Sequence, residues 1–121
     1  MTNLIAPGLH LLIDFWGAKN LQNQNLIQKA LVKAAEACGA TVLEVKIHSF
    51  GEDSGITAVA ILAESHITIH TWPEINYAAL DVFVCGSCDA HKALPVLQEF
   101  FEPTKIQVSE HKRGYTKVKI Y

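Results

Sequence analysis

The sequence predicts an α+β fold: an antiparallel β-sheet with two helices packed on one face, a two-layer sandwich. Three observations carry this reading. Strand-like apolar patterning dominates the chain, only two segments switch to helical spacing, and the connections between strands are short. Taken in order, "GLHLLIDFWG" (8–17) reads as a strand. From Asn20 to Cys38 the period changes, with Leu26, Ile27, Ala30, Leu31, Ala34, Ala35 and Cys38 at helical spacing and Gly39 as the stop. "TVLEVKIHSF" (41–50) alternates apolar and polar residues as a strand, and "GEDSG" (51–55) is a turn. "ITAVAILA" (56–63) is a continuous apolar strand, "HITIH" (66–70) an alternating one, and "NYAALDVFVCG" (76–86) another. A helix from about Asp89 to Glu102 presents Leu94, Leu97, Phe100 and Phe101 on one face. "TKIQVSEH" (104–111) and "YTKVKIY" (115–121) then read as two closing strands. One face of such a sheet needs covering. With Trp16, Phe50, Trp72 and Phe83 available, a partner sheet and hence a homodimer is expected.

The 121 residues suit a single domain, 1–121. Half are hydrophobic and 18% charged, enough to build a core. A net charge of −2 and a pI near 6.3 offer no basic excess for phosphates, so nucleic acid is not expected as a partner. No apolar run is long enough for a membrane span, and "MTNLIAPGLH" lacks the form of a signal peptide, so the cytoplasm is expected. Three cysteines, an odd number, argue against a disulfide framework.

The chemistry concentrates in "AESHITIHTWPE" (63–74). A serine hydroxyl can attack the carbonyl of the residue before it when that peptide sits in a strained turn. Here Ser65 would attack Glu64 and exchange an amide for an ester. A base that removes the Ser65 α-proton then expels the ester, breaks the chain and leaves dehydroalanine, which hydrolyses to a pyruvoyl group. Histidine suits that base. Along an extended strand, however, Ser65 and His70 lie ~16 Å apart at ~3.3 Å per residue, so the chemistry requires a bend near Glu64–Ser65.

"AESHITIHTWPE" followed by "YAALDVFVCG" closely resembles the bacterial and archaeal S-adenosylmethionine decarboxylases, a pyruvoyl-dependent family. The likeness extends to "GATVLEVKIHSF" upstream and "VSEHKRG" downstream. It implies self-cleavage between Glu64 and Ser65, giving a β chain of 1–64 and an α chain of 65–121, with Ser65 becoming the pyruvoyl. His70 matches the processing histidine and Cys85 the catalytic proton donor. Glu74 matches a substrate-binding position at the ribose, and Phe50 an aromatic that stacks on adenine. The implied reaction joins the substrate amine to the pyruvoyl carbonyl as a Schiff base, which draws electrons from the departing carboxylate as pyridoxal phosphate would. A thiol, with an ordinary pKa of ~8.5, is mostly protonated at neutral pH and can return the proton. The resemblance implies no metal and no pyridoxal phosphate, and a homodimer of processed αβ protomers that makes the aminopropyl donor for spermidine.

Two departures stand out. Thr57 occupies a position where the family commonly has a serine that helps processing. It keeps the hydroxyl, and cleavage is expected to survive. The "GEDSG" turn, with Glu52 and Asp53, replaces a turn containing proline and tyrosine. If it borders the pocket, Asp53 would suit a cationic side chain, and arginine or ornithine becomes an alternative substrate on the same scaffold. Otherwise both acids are solvated turn residues. From a different class, "CGSC" offers a thiol–disulfide protein built on Cys85 and Cys88, since C-x-x-C lies between a strand and a helix. The remaining histidines, His10, His48, His66 and His111, read as packed or solvated residues, with His66 on the same strand face as His70.

Overall fold

Apolar residues at every second position give each strand one face to bury, and two helices cover the face so formed. The computed structural model describes residues 8–114. The expected strand at 115–121 lies outside them. Strands β1 (Gly8–Trp16), β2 (Val42–Ser49), β3 (Ile56–Leu62), β4 (Ser65–Trp72), β5 (Tyr77–Cys85) and β6 (Lys105–Arg113) form one sheet in the order β2-β3-β4-β5-β1-β6. Every neighbouring pair is antiparallel. β1 is thus inserted between β5 and β6, and helices α1 (Gln24–Cys38) and α2 (Ala93–Phe101) make the long connections. The fold is the expected α+β sheet with two helices.

Under the helices lie Leu11, Ile13 and Phe15 of β1, Ala58 and Ala60 of β3, Ile67 and Ile69 of β4, and Leu80 and Val82 of β5. Ile27 and Leu31 of α1 and Leu97 and Phe101 of α2 close this core from the other side. Thr71 is a polar residue buried here: its hydroxyl donates to the Leu21 carbonyl and accepts from the Ile56 N–H, both at 2.8 Å. One side chain thereby satisfies two backbone groups that water cannot reach.

The helix boundaries differ from the expected ones for local reasons. Asn20 takes a left-handed φ of 65°, which ends any helix there. Asn23 caps α1 instead, its Oδ1 accepting from the Leu26 N–H at 3.0 Å, and Gly39 at φ 85° closes the other end. The second helix splits. Asp89 caps a 3-10 turn at Ala90–Lys92, and α2 follows with Pro95 in its first turn, where a missing N–H costs no bond. β6 is exposed along most of its length, with Val108 half-buried, because it lies at the sheet edge beyond the helices. Among the described residues, no helix is long and apolar enough to cross a membrane.

Candidate active site

The candidate residues fall in three groups, on the uncovered sheet face and at the two ends of the β3–β4 pair. The first is the hairpin end of β3 and β4. Leu62 pairs with Ser65, so Ala63 and Glu64 make a two-residue turn. Glu64 adopts φ 62°, which crowds its side chain against the backbone at a cost of about 1–2 kcal/mol. The Ala63 N–H, donating to the Thr41 carbonyl at 3.0 Å, holds the turn in place. The expected bend at Glu64–Ser65 is therefore present, and it is strained. Cys85 ends β5 beside it. Its Sγ lies 3.8 Å from Ser65 Oγ and donates to the Glu64 carbonyl at 3.5 Å. Ser65 Oγ donates to the Ala63 carbonyl at 3.2 Å. Glu64, Ser65 and Cys85 thus form one cluster around a single peptide carbonyl.

The second group sits at the opposite end of the same strands. Thr57 pairs with His70 across β3 and β4, and its hydroxyl is hydrogen-bonded to His70 Nδ1 at 3.0 Å. A cavity of about 360 Å³ opens here, lined by Phe50, Gly55, Ile56, Thr57, His70, Thr71, Trp72 and Glu74. Phe50 is 62% exposed and Trp72 41%, so both rings present apolar surface outward. Pro73 starts the 3-10 turn that carries Glu74 to the rim. The sequence expectation thus brings Phe50, Thr57, His70 and Glu74 together, but not Asp53. Asp53 and Glu52 are exposed on the turn and do not line the cavity, and the Glu52 carbonyl accepts from Gln22 Nε2 at 2.7 Å. The two groups stay apart: Ser65 and His70 lie five residues apart on one continuous strand, ~16 Å at ~3.3 Å per residue. The bend turns the chain from β3 into β4 and does not carry His70 to Ser65.

Between them lies a third group that the sequence reading missed. His10 of β1 and His66 of β4 both reach Asp81 Oδ2, at 2.6 and 3.0 Å, and Thr68 bonds its other oxygen. Burial alone would raise the Asp81 pKa, but the hydrogen bonds from Thr68, His10 and His66 outweigh it and hold the carboxyl below its usual value. The three residues come from three strands, so no sequence spacing announces them; the one signal was that His66 shares a face with His70.

A family model described as S-adenosylmethionine decarboxylase matches residues 9–114. An S-adenosylmethionine decarboxylase proenzyme of Methanococcus maripaludis (strain C7) is 50% identical over 114 residues, covering 92% of this chain and 93% of that one. The chain belongs to the S-adenosylmethionine decarboxylase family. A proenzyme of the same name from Acetivibrio thermocellus is 43% identical over 112 residues, covering 90% of each chain. A crystal structure of the adenosylmethionine decarboxylase from Aquifex aeolicus VF5 superimposes with a TM-score of 0.82 at 30% identity, covering 96% of this chain and 98% of that one.

Membership of the decarboxylase family leaves the thiol–disulfide reading unsupported, and the geometry agrees. Cys85 faces the Glu64–Ser65 peptide, whereas Cys88 packs against the core. Cys38 is buried, and burial, with the nearby Cys88 and Asp89, pushes its thiol up to about 11. All three cysteines are free.

Proposed function

We propose that this chain is a self-processing, pyruvoyl-dependent S-adenosylmethionine decarboxylase that supplies the aminopropyl donor for spermidine. The observation that carries the reading is the Glu64–Ser65 turn: a serine directly follows a left-handed glutamate, and a thiol donates to the carbonyl between them. Ser65 Oγ attacks that carbonyl, the C–N bond breaks, and the acyl group passes to oxygen as an ester while the nitrogen takes the proton. Breaking the peptide releases the strain stored at Glu64, and the Cys85 S–H steadies the negative charge that develops on the oxygen. Removal of the Ser65 α-proton then expels the Glu64 carboxylate. This ends the β chain at residue 64 and leaves dehydroalanine at the head of 65–121. Water completes the conversion, releasing ammonia and leaving the ketone. A serine hydroxyl on the residue that follows a strained carbonyl is what formation of the pyruvoyl group requires, and the Glu64–Ser65 turn supports that reading.

The base is assigned to His70 of the partner subunit. Proton transfer needs an approach of about 3 Å, and within one chain the separation is ~16 Å. A homodimer joined by its open faces, with a twofold axis near Thr68 midway along β4, exchanges the two ends. Each Ser65–Cys85 pair then meets the partner subunit's Thr57 and His70. Apolar surface at Leu12, Phe50 and Trp72 on the uncovered side supports such pairing. Thr57 holds the His70 ring by Nδ1, leaving Nε2 for the proton.

The pyruvoyl group supplies an electron sink for the charge left when the substrate carboxylate departs as carbon dioxide. Cys85 holds the proton destined for the former α-carbon. Phe50 offers a ring face to the adenine, and Glu74 accepts from the ribose hydroxyls. Their cavity of about 360 Å³ falls in the range of roughly 300–1,000 Å³ usual for small-molecule sites. Asp53 stands outside it and offers nothing to an arginine or ornithine side chain. No pyridoxal phosphate takes part, and the processed αβ dimer works in the cytoplasm.

The test is carbon dioxide release from carboxyl-labelled S-adenosylmethionine, arginine and ornithine. Release is expected from the first alone, and Cys85→Ala is expected to lower it by roughly 100- to 10,000-fold while Cys88→Ser leaves it unchanged. Release from arginine or ornithine alone would overturn the substrate assignment.

A further inference from the structure

His10, His66 and Asp81 form a constellation that the decarboxylation chemistry does not use. Their ligand atoms, two imidazole nitrogens and one carboxylate oxygen, all lie within 4.8 Å of one another. Tetrahedral ligands 2.0–2.2 Å from a metal stand roughly 3.3 Å from each other. The present separations of 2.6 Å and 3.0 Å to Asp81 Oδ2 therefore need to open by about 0.7 Å and about 0.3 Å. The frame is rigid, because each residue projects from a strand in the middle of the sheet. Phe83 packs against both imidazoles, with ring centroids 5.2 Å from His10 and 5.7 Å from His66. Thr68 bonds Asp81 Oδ1 and leaves Oδ2 turned to the two histidines, the second layer of support that metal-binding carboxylates usually have.

We propose that His10, His66 and Asp81 bind one divalent first-row transition ion, Zn²⁺ by the chemistry of the ligand set, on the open sheet face. Two neutral imidazoles and one carboxylate suit a borderline ion and leave a position free for water or a group from outside the chain. The ion ties β1, β5 and β4 together, with its ligand on β4 one residue along from Ser65 and its ligand on β5 four residues before Cys85.

Arg113 opposes it. Its guanidinium lies 3.2 Å from His10 Nδ1 and can only donate, so Nδ1 accepts and the ring proton sits on Nε2, facing Asp81. An ion on Nε2 requires that proton to move to Nδ1, and Arg113 must then swing away. Ion and arginine are competing occupants of one histidine, which makes the proposal testable in both directions.

The probe is Co²⁺, titrated into tag-free, metal-stripped, full-length protein and followed by visible absorption, with Zn²⁺ as competitor. One Co²⁺ per chain is expected, displaced by Zn²⁺, with the ligand-field bands of nitrogen and oxygen ligands and no thiolate charge-transfer band. His66→Ala should abolish binding, and Thr68→Val should weaken it by about 10–100-fold. Arg113→Gln, whose amide oxygen can accept from Nδ1–H, should tighten it. If His66→Ala fails to fold, as circular dichroism would reveal, the opposite shifts of Thr68→Val and Arg113→Gln still decide. Binding unchanged by these variants, a charge-transfer band marking Cys85 or Cys88 as the ligand, or no binding at all would each overturn the site.

Discussion

The sharpest consequence of the geometry concerns which chain processes which. Ser65 and His70 are five residues apart on β4, ~16 Å at ~3.3 Å per residue, and a base must come within about 3 Å of the proton it takes. No side-chain rotation closes a gap of that size, so processing is expected in trans. The perturbation is a pair of variants, His70→Ala and Ser65→Ala, expressed apart and then together. Apart, each stays a single uncleaved chain, one lacking the base and the other the nucleophile. Together at equal levels, random pairing puts about half of the His70→Ala chains beside a Ser65→Ala partner that still carries His70. Those chains should cleave, and the Ser65→Ala chains should not. Distinct mass tags on the two variants make the assay a gel or a mass spectrum. If the His70→Ala chain remains whole in the mixture, the trans arrangement fails. If it cleaves on its own, His70 is not the base.

Other expectations rest on single residues and are measured in the Ser65→Ala background, where one intact chain unfolds. Thr71→Val leaves the Leu21 carbonyl and the Ile56 N–H without partners and should cost about 2–4 kcal/mol by denaturant titration; a loss near zero would mean that water reaches them. A Cβ added to Gly55 would lie 1.9 Å from the Thr71 backbone oxygen, so Gly55→Ala should push β3 from β4, lowering stability by about 3 kcal/mol and distorting the Phe50–Glu74 cavity. Burial, aided by donation to Asp14, pushes the Tyr77 phenol up to about 12 from an ordinary 10. Above pH 10 the unfolded chain loses the Tyr77 proton while the folded chain keeps it. Stability should therefore fall between pH 10 and 12, and Tyr77→Phe should flatten that slope.

The strands were legible because alternation is a local signal, and β1, β3 and β5 lie within a residue of their expected bounds. Gly39 was equally plain, since a helix end in the left-handed region favours glycine. The start of α1 was missed because Asn20 and Asn23 are chemically alike, and only backbone geometry makes one a turn residue and the other a cap. The insertion of β1 between β5 and β6 left no local trace. The same distinction governs the site. Glu64, Ser65 and Cys85, like Thr57 and His70, were found through the family resemblance that the motifs of the hairpin and its neighbour carry. The convergence of His10, His66 and Asp81 depends on strand order and register, which no short segment encodes. Asp53 drew attention by its charge, but it is an exposed turn residue that does not line the cavity.

The central claim is that Ser65 becomes a ketone at the head of a new chain. Intact mass of the purified protein under denaturing conditions, with and without a carbonyl reagent, tests it most directly. The account predicts two fragments, 1–64 and 65–121, the second resistant to N-terminal sequencing and heavier by one adduct after the reagent. A single chain of 121 residues, unchanged in mass by the reagent after long incubation, would contradict it.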